Sequence, residues 1–352
     1  MTTTERHASQ PTDSAQLVRA LRAAVADFGV RSPWPGLVRV VVLGAIAWGS
    51  VAIAWRQPLG GGFAIWSAIA AIFYAFWLTC THEAAHHTLT GWARFDEAIA
   101  RAISWPSFWP VGTYSVLHRL HHSWNGRNLD DPERTEWTQA EYDRAGLLAQ
   151  WYVRHQWWID VLGCGAIGLI AKIFRHGLRQ LHVQSRLRSQ LASDVAGIAI
   201  FQAIGLGWAI ASGSIVRYAL FWLVFERVVG AIMQCREHIE HYGLWHGSGD
   251  IFPDGSCITP VLRQLYATRN LTTTLPVNWL MSGLPYHGVH HAFPEIPAGN
   301  LPAAFVSIER VLQECHAPPL PCDPGYWRTS WRLAKGFSTI ADLDRLNTSD
   351  GR

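Results

Sequence analysis

The sequence has little charge for its length. Only 16% of its 352 residues are Asp, Glu, Lys or Arg, whereas 49% are hydrophobic and 19 are tryptophan. Soluble globular domains carry about 25% charged residues, so this composition indicates that part of the surface faces lipid. The formal net charge is only +3. A nucleic acid partner is therefore excluded, because its backbone needs a large basic tract.

Closely spaced cysteines are also missing. The six cysteines show no CxxC spacing, and at least three of them lie in or beside apolar runs. Such cysteines are typical of buried apolar positions rather than of a disulfide framework, and they are compatible with a reducing compartment. The first 37 residues contain no apolar core of the kind that a cleavable signal peptide requires.

Long uncharged stretches predict four membrane-spanning helices in two hairpins, since one span needs about 20 apolar residues. The predicted spans are residues 38–56, 62–81, 194–212 and 214–235. We therefore predict an all-α integral membrane protein with a cytoplasmic helical cap. Its expected parts are a cytoplasmic N-terminal segment (1–37), a membrane domain (38–317) and a solvated cytoplasmic tail (318–352).

Two further apolar pieces do not predict spans. Pro106 and Pro110 interrupt residues 98–117, which favours a re-entrant or interfacial segment. Residues 161–171 are uncharged over only 11 positions and precede a basic stretch, which favours an amphipathic helix at the membrane surface. Glu226 and Arg227 interrupt the last predicted span, where they either line a substrate channel or lie at the interface.

Histidine is concentrated in four clusters, which hold eleven of the 17 histidines. The clusters are HEAAHH (His82, Glu83, His86, His87), HRLHH (His118, His121, His122), EHIEH (His238, His241) and HGVHH (His287, His290, His291). Histidines four apart on a helix project from one face and are suited to chelating a metal. Two hairpins return the chain to the same side before each cluster, so all four clusters are expected to meet in the cap. They offer more imidazoles than one ion can use, which predicts two metal ions.

The expected chemistry selects among metals. Imidazole ligands suit zinc, copper, iron and nickel alike. A saturated hydrocarbon chain, however, offers no carbonyl or phosphoryl group for a Lewis acid to polarise. Two metals facing a lipid-soluble substrate therefore favour oxygen activation by iron.

The sequence resembles the membrane-bound, histidine-rich di-iron superfamily of fatty acid desaturases and hydroxylases. The resemblance covers roughly residues 57–297 and rests on HEAAHH, HRLHH and HGVHH in the family's order. NLDDPE (128–133) and NWLMSGLPYHGVHHAFPEIP (278–297) are similar to fatty acid desaturases, whereas EHIEHYGL (237–244) resembles the EHYG element of alkane monooxygenases.

The resemblance implies the residues that bind metal. The implied ligands are His82, His86, His118, His121, His122, His241, His287, His290 and His291. His87 is an alternative to His86, because the family uses both HxxxH and HxxxxH. His238 is a further candidate, at a position where relatives usually lack histidine. Asn270 resembles a polar residue that approaches the metals in some desaturases.

The resemblance also implies cofactors and partners. It indicates a lipid acyl or alkyl substrate, two Fe2+ ions, O2 as co-substrate and electrons from an external donor. The chain has no rubredoxin, cytochrome b5, Rieske or dinucleotide-binding motif, so we expect a separate ferredoxin-like carrier and its reductase. The basic stretch 172–188 is suited to an acidic carrier, to an acyl carrier protein or to anionic headgroups. The expected location is the cell inner membrane, with the histidine boxes on the cytoplasmic side.

Several activities fit these motifs. Desaturation of a fatty acyl chain is preferred, whereas hydroxylation of an alkyl chain or terpenoid and oxidative decarboxylation of a fatty acid to an alkene are alternatives. HEAAH also matches the HExxH motif of zinc metalloproteases. That interpretation leaves both HxxHH clusters without a role. A non-catalytic metal or haem carrier is the most distant alternative.

Overall fold

The computed structural model describes residues 14–182, 184–245 and 259–340, and these form helices almost throughout. The helices are α1 (Ser14–Val25), α2 (Pro33–Arg56), α3 (Gly61–Ala85), α4 (Ala93–Ser104), α5 (Val111–Trp124), α6 (Gln139–Arg144), α7 (Leu147–Arg154), α8 (Gln156–Trp158), α9 (Gly165–Arg179), α10 (Ser185–Ala211), α11 (Ile215–His241), α12 (Pro260–Tyr266), α13 (Leu275–Leu280), α14 (His287–Ala292), α15 (Leu301–Glu314) and α16 (Gly325–Leu333). Two-residue strands β1 (Asn270–Leu271) and β2 (Cys322–Asp323) pair in parallel. The all-α prediction is confirmed.

Two long helical hairpins form the apolar half of the molecule. Helices α2 and α3 are joined by a four-residue turn, and Gly44 of α2 packs directly against the ring of Trp77 on α3. Helices α10 and α11 are joined by the turn at 212–214, where Gly213 adopts a left-handed φ of 64°. Each of the four helices has 24 to 27 residues, which at about 1.5 Å per residue exceeds the ~30 Å hydrocarbon layer.

Within the described residues, four helices are long and apolar enough to cross a membrane. They are Pro33–Arg56, Gly61–Ala85, Gln156–Arg179 and Ser185–Ala211. The number matches the prediction, but one member differs. Helix α11, which covers nearly all of the predicted span 214–235, is not among them, and it carries three charged residues within that span that are costly in lipid. The segment Gln156–Arg179 is among the four instead, and it includes residues 161–171, expected at the membrane surface.

Glu226 and Arg227 have a structural role that neither sequence-based alternative includes. Between α8 and α9 the helix contains a π turn (Ile159–Cys164), and Gly165 follows with a φ of 57°. The guanidinium of Arg227 donates to the carbonyl of Gly163 at 2.6 Å, and the backbone N–H of Ile167 donates to Glu226 at 3.2 Å. The pair therefore satisfies backbone groups that the irregular turn leaves without helical partners.

A second core lies in the cap. Buried side chains of α1, α12, α14 and α15 pack together there, among them Leu21, Leu265, Val289 and Ile308. Residues 14–25, expected to belong to a separate N-terminal segment, are thus part of the cap. The expected solvated tail is also packed in its first part, because β2 pairs with β1 and the backbone N–H of Ile340 donates to the carbonyl of Trp137 at 2.9 Å.

Candidate metal centre

Five imidazoles form a first cluster at the junction of the membrane hairpins and the cap. Cluster A consists of His82, His86, His118, His122 and His290, whose ligand atoms all lie within 4.8 Å of one another. The first two come from the end of α3, the next two from α5 and the last from α14. The Nε2 atom of His118 lies 3.0 Å from that of His82 and 3.1 Å from that of His122.

Four further imidazoles form cluster B, which lies beside cluster A. It consists of His121, His241, His287 and His291. The Nε2 atom of His287 lies 3.1 Å from that of His241 and 3.1 Å from that of His291. The structure thus brings together all nine histidines of the implied ligand set, in groups of five and four.

These distances suit a cation between the rings. Two imidazole nitrogens that bind one ion at about 2.1 Å and at right angles are about 3.0 Å apart. The Nδ1 atom of His118 lies 2.8 Å from a carboxylate oxygen of Glu133, which makes Nδ1 the donor. Its Nε2 then carries a lone pair that faces the Nε2 atoms of two neighbouring rings. Lone pairs at such distances repel one another unless a proton or a metal ion lies between them.

Unpartnered atoms point to the same interpretation. The Nε2 atoms of His86, His121 and His290 are buried and have no hydrogen-bond partner in the described residues. Buried polar nitrogens are costly unless they are bound. Metal ions in clusters A and B would supply the missing partners, so the donor set fits a pair of imidazole-bound ions.

Side chains outside the clusters orient three of the rings. His118 donates to Glu133, His121 donates to Asp131 at 2.9 Å, and Nδ1 of His291 lies 2.9 Å from the amide oxygen of Gln264. Such contacts fix the tautomer and the ring plane of a metal-binding histidine. We did not predict these roles from the sequence. Asp131 and Glu133 nevertheless lie in the NLDDPE segment, which the family resemblance had singled out.

Burial keeps most of these imidazoles neutral. Burial, followed by the neighbouring His122 and His82, lowers the pKa of His118 well below its ordinary value, and burial likewise lowers the pKa of His290. Neutral imidazole is the form that binds metal. His121 differs: burial lowers its pKa, but Asp131 and Glu133 outweigh that effect and raise it.

Three candidate residues, His87, His238 and Asn270, lie outside both clusters. His87 has a left-handed φ of 56° and lines a separate cavity with Arg119. His238 lies 3.1 Å from a carboxylate oxygen of Asp160. The structure therefore brings His86 and His241, not these two, to the metal-binding groups.

Asn270 binds backbone groups next to the centre. Its side-chain oxygen accepts from the backbone N–H of Gly288 at 3.1 Å, and its amide nitrogen donates to the carbonyl of Pro321 at 3.1 Å. A Cβ atom at Gly288 would lie 2.8 Å from that nitrogen. Asn270 therefore positions α14, which carries three histidines of the clusters.

Glu83 is not available as the general base of a zinc protease. Its carboxylate forms a buried ion pair with Arg39 and also accepts from the backbone N–H of Ala298. Its HExxH partners, His82 and His86, share cluster A with three more imidazoles. The HExxH mechanism needs its glutamate free to act as a general base, so this geometry argues against the protease alternative.

An apolar cavity of about 70 Å³ reaches His82. It lies between α3, α5, α9 and α11, and its lining includes Leu78, Trp109, Ile173 and Val229. A larger polar cavity of about 610 Å³ adjoins it, and the ion pair between Lys172 and Glu237 lines both. The apolar cavity thus reaches cluster A at His82, and the polar cavity reaches Asp131, which contacts His121 of cluster B.

The described residues thus form an all-α protein that has four helices long and apolar enough to cross a membrane and histidine groups that could hold metal. Residues 58–323 match the family model described as fatty acid desaturase, and the chain belongs to that family. The expected family resemblance is confirmed.

Two curated relatives are similar to parts of the chain. The Delta(5) fatty acid desaturase fat-4 of Caenorhabditis elegans is 26% identical over 275 residues, which are 74% of this chain and 60% of that protein. The Delta(6)-fatty-acid desaturase fat-3 of the same organism is 35% identical over 80 residues, 22% of this chain and 18% of that protein. The chain thus spans less than two thirds of the length of these relatives.

Proposed function

We propose that the protein is an oxygen-dependent di-iron oxidoreductase of the membrane that introduces a double bond into a lipid acyl chain. The observation that carries the proposal is the convergence of nine imidazoles, seven of them buried and two half-buried, in groups of five and four beside an apolar cavity. Family membership and the names of the two desaturase relatives support an acyl substrate.

The nine histidines would hold the two ions, cluster A one and cluster B the other. Bound ferrous iron supplies the activation of O2 that removal of hydrogen from an unactivated carbon requires. The net reaction removes two hydrogens from adjacent carbons and reduces O2 to two waters with two further electrons and two further protons. Glu133 and Asp131 orient His118 and His121, while the apolar walls hold the chain at His82 and exclude water.

The same geometry supports the predicted topology. His82 and His86 lie at the end of α3, and His241 lies at the end of α11. Each of these helices is the second member of its hairpin, so both hairpins return to one side of the membrane if α11 crosses with α10. We propose that α11 does cross and that the segment from 156 to 179 lies along the interface. We also propose that the protein lies in the inner membrane with the centre on the cytoplasmic side.

An external donor completes the proposal. We propose a ferredoxin-like carrier with its reductase. The carrier, or an acyl carrier protein, would be acidic and would bind to a basic surface near the polar cavity. This surface consists of the exposed residues Arg175, Arg179, Arg186 and Arg188.

Expression in a bacterial host with a ferredoxin and its reductase tests the proposed reaction. Mass spectrometry of cellular fatty acids and of headspace hydrocarbons separates the outcomes. New unsaturated acyl chains support desaturation, hydroxylated chains support hydroxylation, and volatile alkenes support decarboxylation. Unchanged profiles with a competent donor would contradict an acyl substrate.

Histidine variants test the ligand assignment. His121→Ala removes one imidazole from cluster B, and His290→Ala removes one from cluster A. We expect both variants to abolish product formation and to reduce bound iron. His182→Ala is the matched control, because His182 is exposed and lies outside the clusters. Retained activity in both cluster variants would contradict the assignment.

A further inference from the structure

One carboxylate lies on the metal-facing side of the imidazoles. Glu240 precedes His241 at the end of α11 and is only 2% exposed. Its Oε2 atom accepts from Arg236 at 2.6 Å and lies 3.5 Å from Nε2 of His287. Its Oε1 atom is buried and has no hydrogen-bond partner in the described residues.

The position of Glu240 differs from that of the carboxylates which orient the rings. Asp131 and Glu133 contact the Nδ1 atoms of His121 and His118, on the side away from a metal. Glu240 is nearest to an Nε2 atom, the same atom through which His287 faces His241 and His291. Two atoms that bind one ion at about 2.1 Å are about 3.0 Å apart at a right angle and about 4.2 Å apart when opposite. The observed 3.5 Å lies between these limits.

We propose that Glu240 is a carboxylate ligand of the ion held by cluster B. The inference rests on the proposed function, which places an ion there. The ligand atoms of Glu240, His241 and His287 all lie within 4.8 Å of one another. With Glu240, cluster B offers five protein ligands, as many as the five imidazoles of cluster A.

Two physical arguments favour a ligand over a simple counter-ion of Arg236. Arg236 binds only Oε2, so that Oε1 is buried without a partner in the described residues, and such an oxygen is costly unless something binds it. A divalent ion among neutral imidazoles also lacks a compensating negative charge, which Glu240 supplies directly. Arg236 then acts like other outer partners of metal-binding carboxylates, which fix their orientation.

Cobalt(II) binding to the purified full chain tests the inference without oxygen chemistry. We expect Glu240→Gln to weaken cobalt binding at one of the two sites by at least about 10-fold, and Glu240→Asp to retain part of that affinity. Glu237→Gln is the matched control. Glu237 is a mostly buried glutamate one turn earlier on α11, and it pairs with Lys172 outside both clusters. Unchanged affinity at both sites in Glu240→Gln would overturn the inference.

A gain of signal provides a second test that does not depend on loss of binding. In Glu240→Cys the thiolate would enter the coordination sphere, and we expect a sulfur-to-cobalt charge-transfer absorption band that wild type and Glu237→Cys lack. A folded, cobalt-loaded Glu240→Cys protein without this band would refute the assignment.

The two proposals can fail separately. Wild-type protein that binds two cobalt ions but oxidises no lipid would refute the proposed function, whereas the Glu240 variants would still decide the ligand. Wild-type protein that binds no metal would refute both.

Discussion

Single residues outside the clusters orient imidazoles of the candidate metal centre. Burial raises the pKa of Glu133 to about 7, although the neighbouring His121 opposes this shift. A carboxyl group with such a pKa is only partly ionised at neutral pH, and a metal ion bound nearby would favour its charged form. The ring-orienting contacts and the bound ions are therefore expected to stabilise one another.

Asp131 offers a direct test of this coupling. Asp131→Asn removes the charge that the Nδ1–H of His121 faces at 2.9 Å. We expect the affinity for ferrous iron to fall about 10–100-fold, because outer partners of ligating histidines typically contribute that much. Asp130→Asn is the control, since Asp130 is the adjacent residue and is exposed. Iron titration of both variants measures the effect, and equal affinities would contradict the role of Asp131.

Among the helices, α11 connects the packing of the membrane part to the candidate site. It packs against α9 so closely at Gly230 that a Cβ atom there would lie 2.0 Å from the backbone nitrogen of Ala166. One turn before, Glu226 and Arg227 bind the irregular turn that precedes α9. The same helix ends in Glu240 and His241. A shift at Gly230 would therefore move ligands as well as apolar contacts.

Gly230→Ala tests this close approach. The added methyl group meets backbone rather than a mobile side chain, and we expect a destabilisation of about 1–3 kcal/mol together with weaker iron binding. Gly207→Ala on α10 is the control, because no atom lies within 4 Å of the added Cβ. Removal of that exposed helical glycine is expected to be neutral or stabilising by up to about 1 kcal/mol. Thermal unfolding in detergent compares them, and equal stabilities would contradict the packing argument.

At the scale of the whole molecule, the two large hydrophobic cores of the described residues flank the candidate metal centre. The membrane hairpins supply His82, His86 and His241, whereas the cap supplies the three histidines of α14. Val289 lies between two of those histidines and belongs to the core of the cap. The stability of the cap therefore controls the position of a third of the ligand set.

Leu21→Ala tests whether the cap controls the centre from a distance. Leu21 is fully buried in the cap core on α1, so we expect a loss of about 2–5 kcal/mol and weaker iron binding without any change to a ligand. Leu147→Ala is the control, since Leu147 is 82% exposed. Iron binding that is unaffected in a destabilised Leu21→Ala protein would contradict the coupling.

Much of the fold and the grouping of the histidines could be predicted from the sequence. Apolar runs and HxxHH spacing are local signals, and all nine histidines of the implied set meet in the two clusters. The contacts of Glu226 with the turn before α9, and of Asp131 with His121, join separate helices or loops, so no spacing along the chain reveals them. The role of 14–25 was missed for the same reason, because its apolar face is explained only by a partner some 280 residues later.

The distribution of the ligands along the chain has a consequence for biosynthesis. The last imidazoles, on α14, are translated long after the hairpins that hold the first, and α15, which buries the neighbouring Val289, comes later still. A ribosome-bound chain that has just inserted its hairpins has neither centre complete. Metal ions held by the proposed ligand set would therefore reach the protein only after synthesis of the cap, so that delivery of the metal would be a maturation step separate from membrane insertion.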